Sequence, residues 1–145
     1  FFQTNVVFDA DSIDEWLNEI AKRDILDKVY ILIGITPLKS YKTAVYMNTK
    51  IPGVFVPEKI IKRMEIAKNK GNEKEEGVQI ALELIEEIKI KQGVHGIHLM
   101  AVGWEEIVPR IVEEAGFFTS SNGSLLEKYE PLTQRGEEAK LGSLS

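Results

Sequence analysis

The sequence predicts an α/β fold with a parallel sheet, on three observations. The run Val29-Tyr30-Ile31-Leu32-Ile33, closed by Gly34, is continuously apolar, which suits a strand covered on both faces by helices. A strand, a capped helix and this second strand follow one another, the order that gives parallel pairing through a crossover. A third strand-and-helix unit closes the pattern between Val94 and Gly116. At 145 residues the chain suffices for one globular core and falls short of the roughly 250 that a complete eightfold barrel takes.

Phe1 to Phe8 reads as the first strand, with Phe2, Thr4 and Val6 on one face and Gln3, Asn5 and Val7 on the other. Two amides on one covered face need partners, either in neighbouring strands or in a polar ligand inside a barrel. Ser12-Ile13-Asp14-Glu15 reads as a capping box. The helix it opens runs to about Arg23, with Ile13, Trp16, Leu17 and Ile20 as its buried stripe. After the central strand, Ile35-Thr36-Pro37-Leu38 leaves the ladder, because Pro37 has no donor. Ser40 or Lys39 opens a short helix carrying Tyr41, Ala44, Val45 and Met47. Ligands of βα folds are held just past the carboxyl ends of strands, which places Thr36, Leu38 and Tyr41 at a candidate site.

Ile51-Pro52-Gly53 breaks the chain, and Pro57 takes the first position of a helix striped by Ile60, Ile61, Met64 and Ala67. Lys68 to Glu76 reads as a solvated, charged connection. The best helix, Glu75 to about Gln92, turns Val78, Ala81, Leu82, Ile85 and Ile88 inward and Glu83, Glu86 and Glu87 to water. The third strand, Val94 to Val102, holds His95 and His98 on opposite faces, an arrangement that disfavours a shared metal. His98 is expected to be buried and bonded to backbone. Gly103-Trp104 turns into a helix from Glu105 to Ala115 that tolerates Pro109 near its start and stops at Gly116. Residues 118–145, opening on the flexible composition TSSNGS, read as a linker and polar tail.

Composition narrows the function. With no cysteine, disulfides and thiolate metal sites are excluded, and a reducing, cytoplasmic setting is expected. A net charge of -5 argues against nucleic acid, whose phosphates reward a basic face. No apolar run approaches the roughly 20 residues that cross a bilayer, so no membrane partner is expected. The start, Phe1-Phe2, shows no signal-peptide pattern. Nucleophile–base pairs, phosphate loops and zinc spacings are absent from the sequence.

The blocks QTNVVFD (3–9), ILIGITPLKSYKTAVYM (31–47), IPGVFVPEKI (51–60), EEGVQIALELIEEI (75–88) and GVHGIHLMAVGWEEI (93–107) closely resemble the methylenetetrahydrofolate reductase family, in the family's order and spacing. The resemblance implies the last three βα units of a (β/α)8 TIM barrel over residues 1–117, with the polar C-terminal tail at 118–145 outside it. It implies a flavoprotein that reduces 5,10-methylenetetrahydrofolate to 5-methyltetrahydrofolate in one-carbon and methionine metabolism. The cofactor would be FAD, and the electron donor NADH, NADPH or a protein.

By the same resemblance, Asn5 falls where the family places a glutamine on the pterin ring, one methylene longer, and Gln3 shares the task. Tyr41 falls on an aromatic that packs against the folate's aminobenzoyl ring or the nicotinamide. Trp104 falls where many members carry an arginine on the folate tail. The family's catalytic acid and flavin-side aspartate belong to the half of the barrel outside the matched blocks, so no catalytic residue is assigned here. The chain alone is expected to be inactive, with a second chain or the amino-terminal half of a longer reductase completing the barrel, in an oligomer. A non-catalytic half-barrel that binds folate or a partner is the other reading, as is a pterin-dependent methyltransferase barrel.

Overall fold

Three short parallel strands lie side by side in the order β1 (Phe2–Val6), β2 (Ile31–Ile35) and β3 (Gly96–Leu99). The structure is a computed structural model that describes residues 2–26 and 28–116, so the linker and tail expected at 118–145 lie outside the described residues. Of two compact units, Phe1–Ile111 contains the sheet, and Val112–Ser145 is described only through Gly116, at the end of a helix.

Register sets the two faces of the sheet. Leu32 pairs with Gly96, Ile33 with Ile97, Gly34 with His98 and Ile35 with Leu99, while Phe2 pairs with Ile31 and Gln3 with Leu32. Period-two alternation then puts Phe2, Ile31, Ile33, Ile35 and Ile97 on one face and Gln3, Leu32, Gly34, Gly96 and His98 on the other. Ile31, Ile33 and Ile35 are fully buried. Phe2 meets Trp16 of α1 (Ala10–Lys22), ring centroids 5.5 Å apart, so the helix lies on the isoleucine face. The central strand runs two residues later than its apolar pattern suggests. Tyr30 is exposed and stacks on His95, and Ile35 stays in the ladder by accepting from the Met100 N–H at 2.8 Å.

Helix α1 starts earlier than the capping box at Ser12 predicts. Asp9 is the cap: its backbone is extended and its carboxylate accepts from the Asp11 N–H at 3.1 Å, while the Ser12 hydroxyl donates to the Asp9 carbonyl. Aspartate caps as well as serine, and the earlier start also buries Ala10. Helix α2 (Tyr41–Lys50) opens at Ser40, whose Oγ accepts from the Thr43 N–H at 3.1 Å.

The charged stretch Lys68 to Glu76 is a correction. Helix α3 (Glu58–Lys70) runs through its first part and α4 (Glu73–Lys89) starts within it, leaving only Gly71 and Asn72 between them. Lysine and glutamate are good helix formers, so a charge-rich run with one glycine is also what a tight helix corner looks like. Glu73 and Glu76 have partners: the Tyr41 N–H donates to Glu73 at 2.8 Å, and Arg63 Nε donates to Glu76 at 2.7 Å.

The third strand ends at Leu99, three residues before the expected Val102, which is 92% exposed. The last helix is a 3-10 turn, Glu105–Ile107, followed by α5 (Val108–Glu114). Among the described residues, no helix is long and apolar enough to cross a membrane.

Arg63 joins α3 to α4 by pairing with Glu76 and with Glu83, the latter at 2.6 Å. Its hydrogen bond holds the Glu83 carboxyl below the usual carboxylate range. A carboxyl whose folded pKa is depressed adds stability above its unfolded pKa and loses it as pH falls through the folded value. Glu83 is 46% exposed, so the pair is screened and worth only about 0.5 kcal/mol. An Arg63→Ala variant should therefore melt below the parent protein at neutral pH, with the gap closing in acid as the depressed Glu83 carboxyl takes up its proton. A gap that persists in acid would assign the effect to lost packing of the arginine stem.

Candidate functional site

The site is built where the β1–β2 ladder slips between Gln3 and Val6. Thr4 Oγ1 accepts the Gly34 N–H at 3.0 Å and donates to the Asn5 carbonyl at 2.8 Å. Pairing resumes when the Val7 N–H donates to the Gly34 carbonyl at 2.9 Å. A side-chain hydroxyl thus stands in for one rung, and the extra residue forms a bulge. Gly34 permits it, because a Cβ there would sit 2.9 Å from the Thr4 carbonyl oxygen and 3.0 Å from that of Asn5.

The bulge redirects the two candidate amides. Simple alternation had put Gln3 and Asn5 on one face in register. Instead, Asn5 is exposed, with Oδ1 accepting from the Val6 N–H at 2.8 Å. Its Nδ2 lies 3.4 Å from where a Cβ on Gly53 would stand, beside the α2–α3 link. Gln3 turns across β2, and its Nε2 meets Nδ1 of His98. His98 is therefore bonded to a side chain, where a backbone partner was expected. It is half-buried, and burial holds its imidazole below the usual histidine range. His95 sits apart, ahead of β3, stacked on Tyr30 at 4.4 Å with Nδ1 accepting from the Ile31 N–H.

Gln3 and Asn5 share a groove of about 320 Å³ with Phe2, Trp16 and Gly53. Tyr41 and Trp104 do not line it. Tyr41 opens α2, half-buried against a cluster that includes Leu38, Ala44 and Met47, with Lys68 Nζ 5.4 Å from its ring centroid. Trp104 is 5% exposed and donates its backbone N–H to the Ala101 carbonyl at 2.9 Å. The neighbouring loop is held by Lys39, whose Nζ donates to the Gly103 carbonyl at 3.3 Å. Leu38, expected near the ligand, is fully buried and belongs to the core, whereas Thr36 is half-buried.

A larger recess, about 660 Å³, is lined by Asp14, Asn18, Lys91, Gln92 and His95. It lies by residues that precede β2 and β3, at the amino ends of the strands. Ligands of βα folds sit at the carboxyl ends, which disfavours this recess; the smaller groove runs along β1 from Phe2 and reaches past its carboxyl end to Val7, so it is the better candidate despite its size.

Sequence reasoning missed Gly34 and Thr4 as builders of this region, and Gly77 as the point where α4 meets the backbone of Leu38. Each glycine left a signal: glycine within a strand marks a bulge, and glycine inside a strong helix marks a close approach. Thr4 left none, since a threonine in a strand is ordinary.

A family model described as Methylenetetrahydrofolate reductase matches residues 1–116. No curated protein matches the chain.

Proposed function

The chain belongs to the methylenetetrahydrofolate reductase family, and we propose that it supplies the folate-facing wall of a barrel that reduces 5,10-methylenetetrahydrofolate to 5-methyltetrahydrofolate. The family is one of oxidoreductases of folate-linked one-carbon chemistry, built on a TIM barrel. The observation that carries the reading here is the meeting of Gln3 and His98 across β2. In such barrels, interior layers are filled by side chains from alternate strands, and β1 and β3 are alternate strands about β2. The three βα units are on this reading the last three of the barrel, over 1–117, with 118–145 as an appendage. β1 and β3 are the sheet edges among the described residues, and the remaining strands, from the same or a second chain, would pair there.

Within that barrel Gln3 and Asn5 would meet the pterin ring, Tyr41 the aminobenzoyl ring, and Trp104 would shape the wall near the folate tail from its buried position. The pyrophosphate of FAD does not suit the amino ends of α1 to α4, the long helices among the described residues. The first turns of α1, α3 and α4 carry Asp11, Glu58 and Glu73. The first amide of α2 is taken by Glu73. Anions need free amides at a helix N-terminus, and carboxylates there repel them. FAD and its reductant, NADH, NADPH or a protein, are therefore assigned to residues outside this chain's described part. This chain's own work is to bind and orient the folate, in a cytoplasmic, oligomeric enzyme.

The test is the visible spectrum of the full protein before and after anaerobic addition of 5-methyltetrahydrofolate. A bound flavin that bleaches is the expected result, the reaction running backwards. A colourless protein that still binds the folate would replace the enzyme with a non-catalytic folate-binding module. A colourless protein that binds none would overturn the reading.

Tyr41→Ala gives a second check. Losing a stacked aromatic should weaken folate binding by about 1 kcal/mol, roughly fivefold in Kd. An unchanged Kd would remove Tyr41 from the site.

A further inference from the structure

Charge is unevenly divided along the chain. Nine basic residues lie between Lys39 and Lys74, half of all its lysines and arginines, with only three acidic residues among them. Residues 75–116 reverse the ratio, with nine acidic and three basic. The basic segment holds α2 and α3, which pack together and turn Ala44, Met47, Ile60 and Met64 into one buried cluster. Helical spacing puts their opposite sides in water. That side reads Lys42, Tyr46, Lys50 on α2 and Lys59, Lys62, Ile66, Lys70 on α3, in steps of three and four residues. All seven side chains are exposed, Tyr46 to 57% and Ile66 to 54%, and in the link between the helices Phe55 stands out between buried Val54 and Val56.

Lys42, Lys50, Lys59 and Lys70 make no ion pair among the described residues, and Lys62 holds Glu58. The chain's acids are better supplied: Asp14 is held by Lys91, Glu75 by Arg110, Glu76 and Glu83 by Arg63, and Glu86 by Lys89. A second copy would therefore offer these lysines acids that are already neutralised.

We propose that the outer side of α2 and α3 docks a different protein, one that presents carboxylates around an apolar centre. In a chain of net charge -5, a local positive field draws an acidic partner to one face and orients it there. Tyr46, Phe55 and Ile66 supply the apolar anchors that hold it once it arrives. A lipid surface fits less well, because interfacial helices bury a continuous apolar face in the bilayer and those of α2 and α3 are spent on the core. Glu58 and Glu65, exposed on α3, oppose the unbroken phosphate backbone of a nucleic acid. Separate carboxylates on a protein can avoid them.

The experiment titrates the full protein with two synthetic helical peptides, one with glutamates around central leucines and one with glutamine in place of every glutamate. The first should bind, more weakly as salt rises, and the second should not. Lys42→Glu with Lys59→Glu should weaken binding about tenfold and flatten the salt dependence. Each is the second residue of its helix, where glutamate suits the positive end, so the loss would not be one of structure. Tyr46→Ser with Ile66→Ser should weaken binding about fivefold and leave the salt dependence unchanged. Arg23→Glu with Lys28→Glu makes the same change in net charge away from this surface and should leave binding at the parent level.

Failure to bind the glutamate peptide, an equal loss in the Arg23 and Lys28 control, or no loss in the serine variant would each overturn the proposal. Phosphatidylserine vesicles and polyuridylic acid are titrated alongside. Tighter binding of either, lost with Lys42 and Lys59, would assign the surface to a membrane or to RNA and overturn the protein partner. Self-association in sedimentation that the same two substitutions abolish would name a second copy, and overturn it too.

Discussion

Gly77→Ala should cost the protein about 3 kcal/mol, although alanine is the better helix former. Gly77 is in the first half of α4, where it passes the turn after β2. A Cβ built on it would lie 1.6 Å from the Leu38 carbonyl oxygen and 2.7 Å from the carbonyl carbon. Neither atom belongs to a side chain that can rotate away. Either α4 must withdraw from the sheet or the Leu38 segment must move, and Leu38 is fully buried in the cluster beneath α2. The roughly 1 kcal/mol that alanine gains in helix propensity is smaller than the cost of moving a packed helix. Urea unfolding of the variant should show a lower midpoint at an unchanged slope. A midpoint at or above that of the parent would mean that α4 and the turn separate freely, and that Gly77 is no packing constraint.

Gly34→Ala is the second large effect, and it reaches the candidate site directly. The added methyl would press on the bulge backbone at 2.9 and 3.0 Å, contacts that require a shift of β1 against β2. The shift endangers the bond from the Gly34 N–H to Thr4 Oγ1 and moves Asn5 with the bulge. About 2 kcal/mol of stability should be lost, and folate binding should fall by more than the stability loss explains. Thr4→Val, which keeps the shape and removes the hydroxyl, should reproduce part of this by leaving the Gly34 N–H unpaired, at about 1 kcal/mol. Binding that stays at the parent level in a folded Gly34→Ala protein would detach the bulge from function.

Much of the architecture was legible because it is written locally. Of the stripe Ile13, Trp16, Leu17 and Ile20 in α1, Ile13 and Leu17 are buried and the other two half-buried; of Ile60, Ile61, Met64 and Ala67 in α3, all but the half-buried Ile61 are buried. Ser40 caps α2, and the glycines read as breaks at 53, 93, 103 and 116 all take positive φ. Misreadings came where two local signals competed. Asp9 and Ser12 are both good caps, and the charged run after Lys68 suits a loop and a helix corner alike. At the site, the residue types at Gln3 and Asn5 were visible, but their directions were not.

Sequence by itself determined the order of parallel strands and helices and most of the faces that turn inward, which follow from periodicities and motifs within single segments, and the family, through the resemblance of five blocks taken in order. Tertiary structure alone decided the bulge at Thr4 and Asn5, the approach of Gly77 to Leu38, and the pairing of Gln3 with His98 across 95 positions of chain. The physical reason is range. A side chain's face is set by the dihedrals of its own segment, whereas register, backbone clashes and cross-strand hydrogen bonds depend on where a distant strand comes to rest.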